Sequence, residues 1–210
     1  MNRIPNHIRE YIPKQHSGNS CETHVIIDSK NDLKNDFDSL YQRLLNINQW
    51  EKYASLSGAD FVLMDSKGNE KTTDPDVGDF VRIRYSKHQN LLSEKFDFVQ
   101  VEKLIQNAKE EDPFVLLQLR PSVDPSLASK EISHFFDDSA TNSFIIYVLN
   151  NQLHFSIIGR NECTNKEVER TIDKIRHFVF ANLGFVAFSK IQWESFAKGI
   201  TNLNEEYENE

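Results

Sequence analysis

The chain has 210 residues, which is long enough to bury a core without stabilisation by disulfides or metal ions. Hydrophobic residues make up 39% and charged residues 27%, as in ordinary globular proteins. Its formal net charge of −8 and its lack of a basic cluster argue against binding to nucleic acid or to an anionic membrane surface. No segment approaches the roughly 20 apolar residues of a membrane span, and the N-terminus lacks the apolar run of a signal peptide.

The cysteines and the glycines carry no recognisable cofactor motif. Cys21 and Cys163 are far apart in the sequence, which favours reduced thiols and a cytoplasmic setting and leaves a single bridge between them open. No C-x-x-C, zinc-ligand spacing or phosphate-binding glycine loop occurs. The sequence therefore predicts no metal and no cofactor.

The first part of the chain predicts an arm, a strand and a helix. Residues 1–21 contain prolines and many polar residues, and we expect an irregular N-terminal arm. A strand is predicted over 23–28, and apolar residues at mostly three- and four-residue spacings predict a helix over 31–56. Gly58 ends this helix.

The middle of the chain changes to a period of two, which is typical of half-buried strands. Asn150, Asn151 and Gln152 separate the last two strands and predict a tight hairpin, because Asn tolerates the positive φ that such turns require. Six consecutive strands with short or modest connections favour an antiparallel sheet. The predicted strands are 59–65, 80–85, 96–105, 114–120, 143–149 and 153–159.

Two segments predict additional structure around this sheet. Residues 121–142 are rich in proline and serine, with a short helix expected around Lys130 to Phe136. A stripe of apolar residues over 168–183 predicts a helix that breaks at Gly184, and a second helical segment carries the apolar pattern on to Ile200.

The resulting order, β-α-β-β-β-β-β-β-α, resembles the helix-grip fold of the START/polyketide-cyclase-like superfamily, also called the Bet v 1-like superfamily. The resemblance rests on this order, on Trp50 near the end of the first helical block, on the 75–83 segment before an early strand, and on 193–197 in the last helix. It implies an α+β domain in which a curved antiparallel sheet of about seven strands wraps a long C-terminal helix.

The resemblance also sets expectations for domains and for function. The expected division is an arm over 1–21, a helix-grip domain over 22–205 and an acidic tail over 206–210, with 121–142 and 165–184 as additions. Members of the superfamily bind apolar molecules between the sheet and the last helix. The resemblance therefore implies an apolar or amphipathic small molecule as partner, and it carries over no catalytic residue.

The sequence leaves two alternative functions open and gives a set of candidate binding residues. One alternative is a cyclase or hydrolase that uses His154 or His24 as base, because imidazole titrates near neutrality. The other is a co-chaperone-like interaction protein whose cavity is filled by its own side chains, and the additions are also compatible with a homodimer. The residues predicted to line the cavity are Arg82, Arg84, Phe98, Gln118, Tyr147, His154 and Phe188.

The arginines and histidines also have simpler explanations. Arg82 and Arg84 could clamp a carboxylate or phosphate, but such a pair is more often the solvent side of a half-buried strand. A histidine in a strand is more often structural than catalytic when no partner can be identified from spacing.

Overall fold

The computed structural model describes most of the chain, in ranges separated by gaps. It describes residues 4–29, 32–54, 59–85, 96–107, 112–127, 132, 134, 136–163 and 185–203, with the backbone alone at 85 and 185–192. Several predicted features lie outside these residues. They are the helix over 168–183, its break at Gly184, the acidic tail over 206–210 and much of the short helix around 130–136.

The order of elements agrees with the prediction. The chain contains α1 (Asn6–Arg9), β1 (Asn19–Ile27), α2 (Leu33–Leu45), the 3-10 helix η1 (Ile47–Tyr53), β2 (Ala59–Met64), β3 (Phe80–Tyr85), β4 (Asp97–Asn107), β5 (Phe114–Pro121), β6 (Thr141–Leu149), β7 (Gln152–Glu162) and α3 (Phe185–Thr201). The helix predicted over 31–56 is divided into α2 and η1, because Asn46 leaves the helical region with φ −80° and ψ 68°.

The seven strands form one antiparallel sheet in the order β1-β7-β6-β5-β4-β3-β2. The predicted hairpin joins β6 to β7, and its loop contains only Asn150 and Asn151, both with positive φ (52° and 59°). The curved sheet and its C-terminal helix confirm the predicted helix-grip fold. Among the described residues, no helix has the length and apolar character needed to cross a bilayer.

The inner face of the sheet is the face that packs against α2, η1 and α3. Its core is centred on Trp50, which is fully buried and donates its Nε1–H to the Leu44 carbonyl at 3.0 Å. The Trp50 ring lies 5.6 Å from that of Phe61 and 5.1 Å from those of Phe144 and Phe196. These aromatic contacts join η1, two strands and α3 into one core.

The C-terminal end of α3 is held against η1 by backbone contacts. Gly199 lies directly on the backbone of Tyr53, so that a Cβ at this position would stand 3.0 Å from the Tyr53 carbonyl carbon and closer still to its oxygen. The Arg43 guanidinium donates to the carbonyls of Ile200 and Asn202 at 3.1 and 3.0 Å, which satisfies carbonyl oxygens at the end of the helix.

The outer face of the sheet is covered in part by the N-terminal arm. Ile4 and Ile8 are buried against five side chains of the central strands. The arm is therefore part of the fold, and it contains the helical turn α1 as well as the beginning of β1, which starts at Asn19 rather than at 23 as predicted. The five buried partners are Phe114, Leu116, Ile145, Tyr147 and Ile158.

Candidate functional site

The arginines predicted to bind a ligand lie on the outer face of β3. Arg82 and Arg84 alternate along the strand with Val81 and Ile83, which belong to the inner core. Arg82 donates to Glu70 at 3.0 Å, and its guanidinium lies 5.0 Å from the centre of the Phe96 ring. Each arginine is thus already paired, since Arg84 donates to Asp60.

Phe98 and Gln118 lie on the same outer face as the arginines. Phe98 packs in a small cluster with Met64 and Phe80. Gln118 is fully buried and donates its amide N–H to a carboxylate oxygen of Glu102, whose other oxygen accepts from Arg120 Nε at 2.9 Å.

The predicted histidines are also placed on the outer face. Tyr147 and His154 are partners in the register of β6 and β7, and their rings stack with centroids 4.9 Å apart and an angle of 10° between the planes. His24 Nδ1 lies 2.8 Å from Ser156 Oγ. The structure brings Tyr147 and His154 together beneath the N-terminal arm, on the side of the sheet away from α3.

Six of the predicted lining residues therefore point away from the space between the sheet and α3. The reason is the pleat of the sheet, which gives alternate residues to opposite faces. Phe188 lies in α3, and its side chain is outside the described residues. A cavity between the sheet and α3 would be lined by the residues that alternate with the predicted ones.

A buried carboxyl group lies on the inner face near the end of β7. Cys21 of β1 pairs with Gly159, whereas Asn19 pairs with Glu162, so β7 contains one extra residue at this point. Asn161 adopts a positive φ of 55° within this bulge. The bulge turns the Glu162 side chain back over Gly159, and its Oε1 occupies the room that a side chain at 159 would fill.

The N-terminal arm fixes the backbone of this bulge through Asn161. The Asn161 side-chain oxygen accepts from the backbone N–H groups of His16 and Ser17 at 2.8 and 3.2 Å. Its side-chain nitrogen donates to the Lys14 carbonyl at 3.2 Å, and its backbone N–H donates to Gln15 Oε1 at 3.0 Å. The position of the neighbouring carboxyl group is therefore determined by contacts between residues 144 to 147 positions apart in the sequence.

Two further polar side chains share the inner face with Glu162. Asn142 pairs with Gly159 in the register of β6 and β7, and its Oδ1 lies 3.2 Å from the point where a Cβ of residue 159 would stand. Thr23 pairs with Ile157 of the inner core, two pairs beyond Cys21–Gly159 along β1. Thr23, Asn142 and Glu162, here called the polar cluster, therefore come from three adjacent strands.

The polar cluster is rich in unused hydrogen-bond acceptors. Among the residues that the structure describes, Thr23 Oγ1, Asn142 Oδ1 and both carboxyl oxygens of Glu162 are buried and have no hydrogen-bond partner. Glu162 is only 2% exposed. Buried oxygens without partners cost about 1 to 3 kcal/mol each, so a group that donated to them would stabilise this region.

The burial of Glu162 changes its acid strength. Burial raises the pKa of the Glu162 carboxyl to about 7, while the nearby Arg160 guanidinium acts in the opposite direction. The Arg160 side chain itself donates to the Gly159 carbonyl and to Glu22. Glu162 can therefore either accept hydrogen bonds as a carboxylate or donate one as an acid near neutral pH.

The polar cluster adjoins an apolar surface. Leu119 pairs with Asn142, and the next inner positions on β6 and β7 are Phe144 and Ile157. All three apolar side chains belong to the buried inner core. The polar cluster is therefore set among mostly apolar side chains of the inner core.

The polar cluster does not follow from the sequence pattern. The last predicted strand ends at Gly159, so Glu162 lies beyond it, whereas the strand in the structure continues to Glu162. The sequence Gly159-Arg160-Asn161 does contain a signal, since a glycine and an asparagine together are typical of a bulge. The direction of the next side chain depends on that bulge, and alternation alone does not give it.

A separate open cleft of about 260 Å³ lies beside the junction of α2 and η1. It is bounded by Arg43, Asn46 and Asn48 on one side and by the loop 72–74 on the other. The described residues that line it lie in α2 and η1, at Asn46 and in the loop 72–74, so the cleft is distinct from the space on the inner face.

Comparison with known proteins identifies similar structures but no family. No family model matches the sequence, and no curated protein matches it either. A hypothetical protein from Helicobacter pylori has a TM-score of 0.53 at 14% identity, over 96% of this chain and 95% of that chain.

Two further similar structures are more distant. The Aha1 dimer from Colwellia psychrerythraea has a TM-score of 0.44 at 13% identity, over 91% of this chain and 100% of that chain. The major latex-like protein from Panax ginseng has a TM-score of 0.42 at 12% identity, over 87% of this chain and 95% of that chain. The predicted resemblance of fold is confirmed by the architecture of the sheet and α3 described above.

Proposed function

We propose that this protein binds an apolar or amphipathic small molecule on the inner face of the sheet, with the polar end of the molecule at the polar cluster. The observation that supports this proposal is the set of buried acceptors of Thr23, Asn142 and Glu162, which have no partner within the described ranges. A bound molecule with a suitable polar group would satisfy them, while its apolar part contacts Leu119 and Ile157.

The histidines do not support the enzymatic alternative. His24 and His154 both lie on the outer face, where His24 is close to Ser156 and His154 stacks on Tyr147. A base on that side of the sheet cannot reach a molecule that lies between the sheet and α3.

A second candidate is an interaction protein whose inner space is filled by its own side chains. The observation that favours it is the aromatic cluster between the sheet and the C-terminal half of α3. The Trp193 ring lies 5.2 Å from that of Phe144 and 6.1 Å from that of Phe196, so this part of the inner face is packed. Any ligand space is therefore expected towards the polar cluster.

Two measurements test the proposal of ligand binding. Native mass spectrometry of the purified protein should detect a retained small molecule, and titration with the neutral probe N-phenyl-1-naphthylamine should give a saturable rise in fluorescence. The Thr23→Met variant places a longer side chain on the inner face, and we expect it to raise the dissociation constant of the probe about tenfold or more.

Ile26→Met is the matched control for this variant. Ile26 lies on the same strand but on the outer face, where it is 44% exposed, and the substitution should leave probe binding unchanged. Circular dichroism and thermal unfolding will show whether Thr23→Met is folded, and Thr23→Val replaces it if it is not. The absence of both a retained molecule and saturable probe binding would refute the proposal and favour the filled interaction protein.

A further inference from the structure

We infer that the polar end of the ligand is a primary amine, bound as an ammonium group by the carboxylate of Glu162 together with the oxygens of Asn142 and Thr23. This inference rests on the proposed function and specifies the chemical class of the ligand. It follows from the number, the type and the charge of the atoms that the cluster presents.

The atoms of the polar cluster match an ammonium group in number and type. The unsatisfied atoms are all oxygens, namely two of Glu162, one of Asn142 and the hydroxyl of Thr23. A primary ammonium has three N–H donors and no acceptor, so it can satisfy one oxygen from each of the three side chains. An alcohol has a single donor and would leave most of these oxygens without a partner.

The charge of the cluster also favours a cation. An ammonium group next to Glu162 stabilises the ionised carboxylate and forms charge-assisted hydrogen bonds, which are stronger than neutral ones. An ionised carboxylate or phosphate ligand would meet the negative charge of the ionised Glu162 and the acceptor oxygen of Asn142, and it could satisfy neither, because it has no donor of its own. Arg160 is the cation of the same strand, and it is already paired with Glu22.

The geometry around Gly159 supports a preformed binding site. The carboxyl group lies in the one place that a residue without Cβ leaves open, and Asn142 points at the same place from the neighbouring strand. Glu162 of β7 and Asn142 of β6 thus meet at Gly159, and Thr23 of β1 lies on the same inner face two residues beyond the Cys21–Gly159 pair. Such convergence of polar groups in an apolar wall is typical of a site that orients one end of a ligand.

A matched set of probes tests the inference. Decylamine, 1-decanol and decanoic acid carry the same chain and differ in the polar end, and each is used to displace N-phenyl-1-naphthylamine from the full-length protein. We expect decylamine to displace the probe at a concentration at least about tenfold lower than 1-decanol, with decanoic acid weakest. The Glu162→Gln variant should lose the preference for the amine, measured as the ratio of the displacing concentrations of 1-decanol and decylamine.

One more probe separates hydrogen bonding from charge and requires no variant. Decyltrimethylammonium has the charge of decylamine but no N–H donor, so we expect it to bind more weakly than decylamine to the unmodified protein. Equal displacement by all four probes, or preference for the acid, would overturn the inference and leave the proposed function standing. Failure of every probe to bind the unmodified protein would overturn the proposed function itself.

Discussion

The side chain of Glu162 reaches the inner face of the sheet because two neighbouring residues have unusual properties. Gly159 has no side chain and leaves space above the strand, while Asn161 adopts a positive φ that inserts the bulge. The carboxyl group then lies in surroundings that disfavour its charge. Its protonation should therefore affect both ligand binding and the stability of the protein.

The pH dependence of stability tests the environment of Glu162. Its pKa is raised from 4.5 to about 7 on folding, so the folded state binds more protons than the unfolded state between these values, and stability falls as the pH rises through this window. A rise of this size corresponds to at most about 3 kcal/mol. We expect Glu162→Gln to remove this component. The melting temperature of the variant should therefore rise relative to that of the unmodified protein as the pH is raised from 5 to 8.

The control for this experiment is Glu51→Gln. Glu51 is exposed in η1, and its substitution should leave the pH profile of the melting temperature unchanged. Arg160 and the thiols of Cys21 and Cys163 also lie near the bulge, and they are unchanged in both variants. Parallel profiles for Glu162→Gln and the unmodified protein would show that the carboxyl is not held in a low-polarity site.

The positions of single residues were predictable where alternation holds and not where it breaks. Alternation along β3 correctly predicts Arg82 and Arg84 opposite Val81 and Ile83. It does not say which face meets α3, because the central strands are buried on both sides. On β6, for example, Phe144 belongs to the inner core and Tyr147 to the outer cluster beneath the arm.

The contact between α3 and η1 leaves no room for a side chain at Gly199, since the Tyr53 backbone lies directly against it. The Arg43 guanidinium of α2 donates hydrogen bonds to two carbonyl groups at the same end of α3. The three helical elements are thus joined at one corner of the inner face. The position of α3 over the sheet depends on this junction as well as on the aromatic core.

Gly199→Ala tests how closely α3 must approach η1. Alanine gains about 1 kcal/mol in helix propensity over glycine, but its Cβ would overlap the Tyr53 carbonyl and force one helix to move. Overpacking of this kind costs about 1 to 3 kcal/mol, so we expect a net loss of stability in urea unfolding. Lys198→Ala, at an exposed neighbouring position, should change stability by less than about 0.5 kcal/mol. A more stable Gly199→Ala protein would show that the helices are not in tight contact.

The order of the elements was predictable from the sequence, and their ends were less so. Hydrophobic periods of two and of about 3.6 residues separate strands from helices and give the helix-grip order. The division at Asn46 was missed, because α2 and η1 continue one apolar pattern into the same core. The extension of β7 to Glu162 was missed for the same reason as the polar cluster, since a bulge interrupts the alternation.

The molecule as a whole has a core on each side of its sheet. The inner core joins the sheet to α2, η1 and α3, and the outer core joins it to the N-terminal arm. The arm also holds the bulge next to the polar cluster through Asn161. The two faces are therefore coupled through the backbone of β7.

Removal of the Ile8 side chain tests the contribution of the arm. Ile8 is fully buried on the outer face, and truncation to alanine should lower the free energy of unfolding by about 2 to 5 kcal/mol. Glu10→Ala, at an exposed position in the same arm, is the control and should have little effect. Equal stability of the two variants in urea unfolding would mean that the arm does not stabilise the sheet.

The pairing of β1 with β7 has a consequence for the synthesis of this protein. β1 leaves the ribosome before the other described strands, yet its neighbour in the sheet is β7, the last of them to be made. Strands β2 to β6 can pair in sequence as they emerge, whereas β1 must wait with an unsatisfied edge. Completion of the sheet therefore requires β7 to emerge, and until then the edge of β1 remains unpaired and open to other chains.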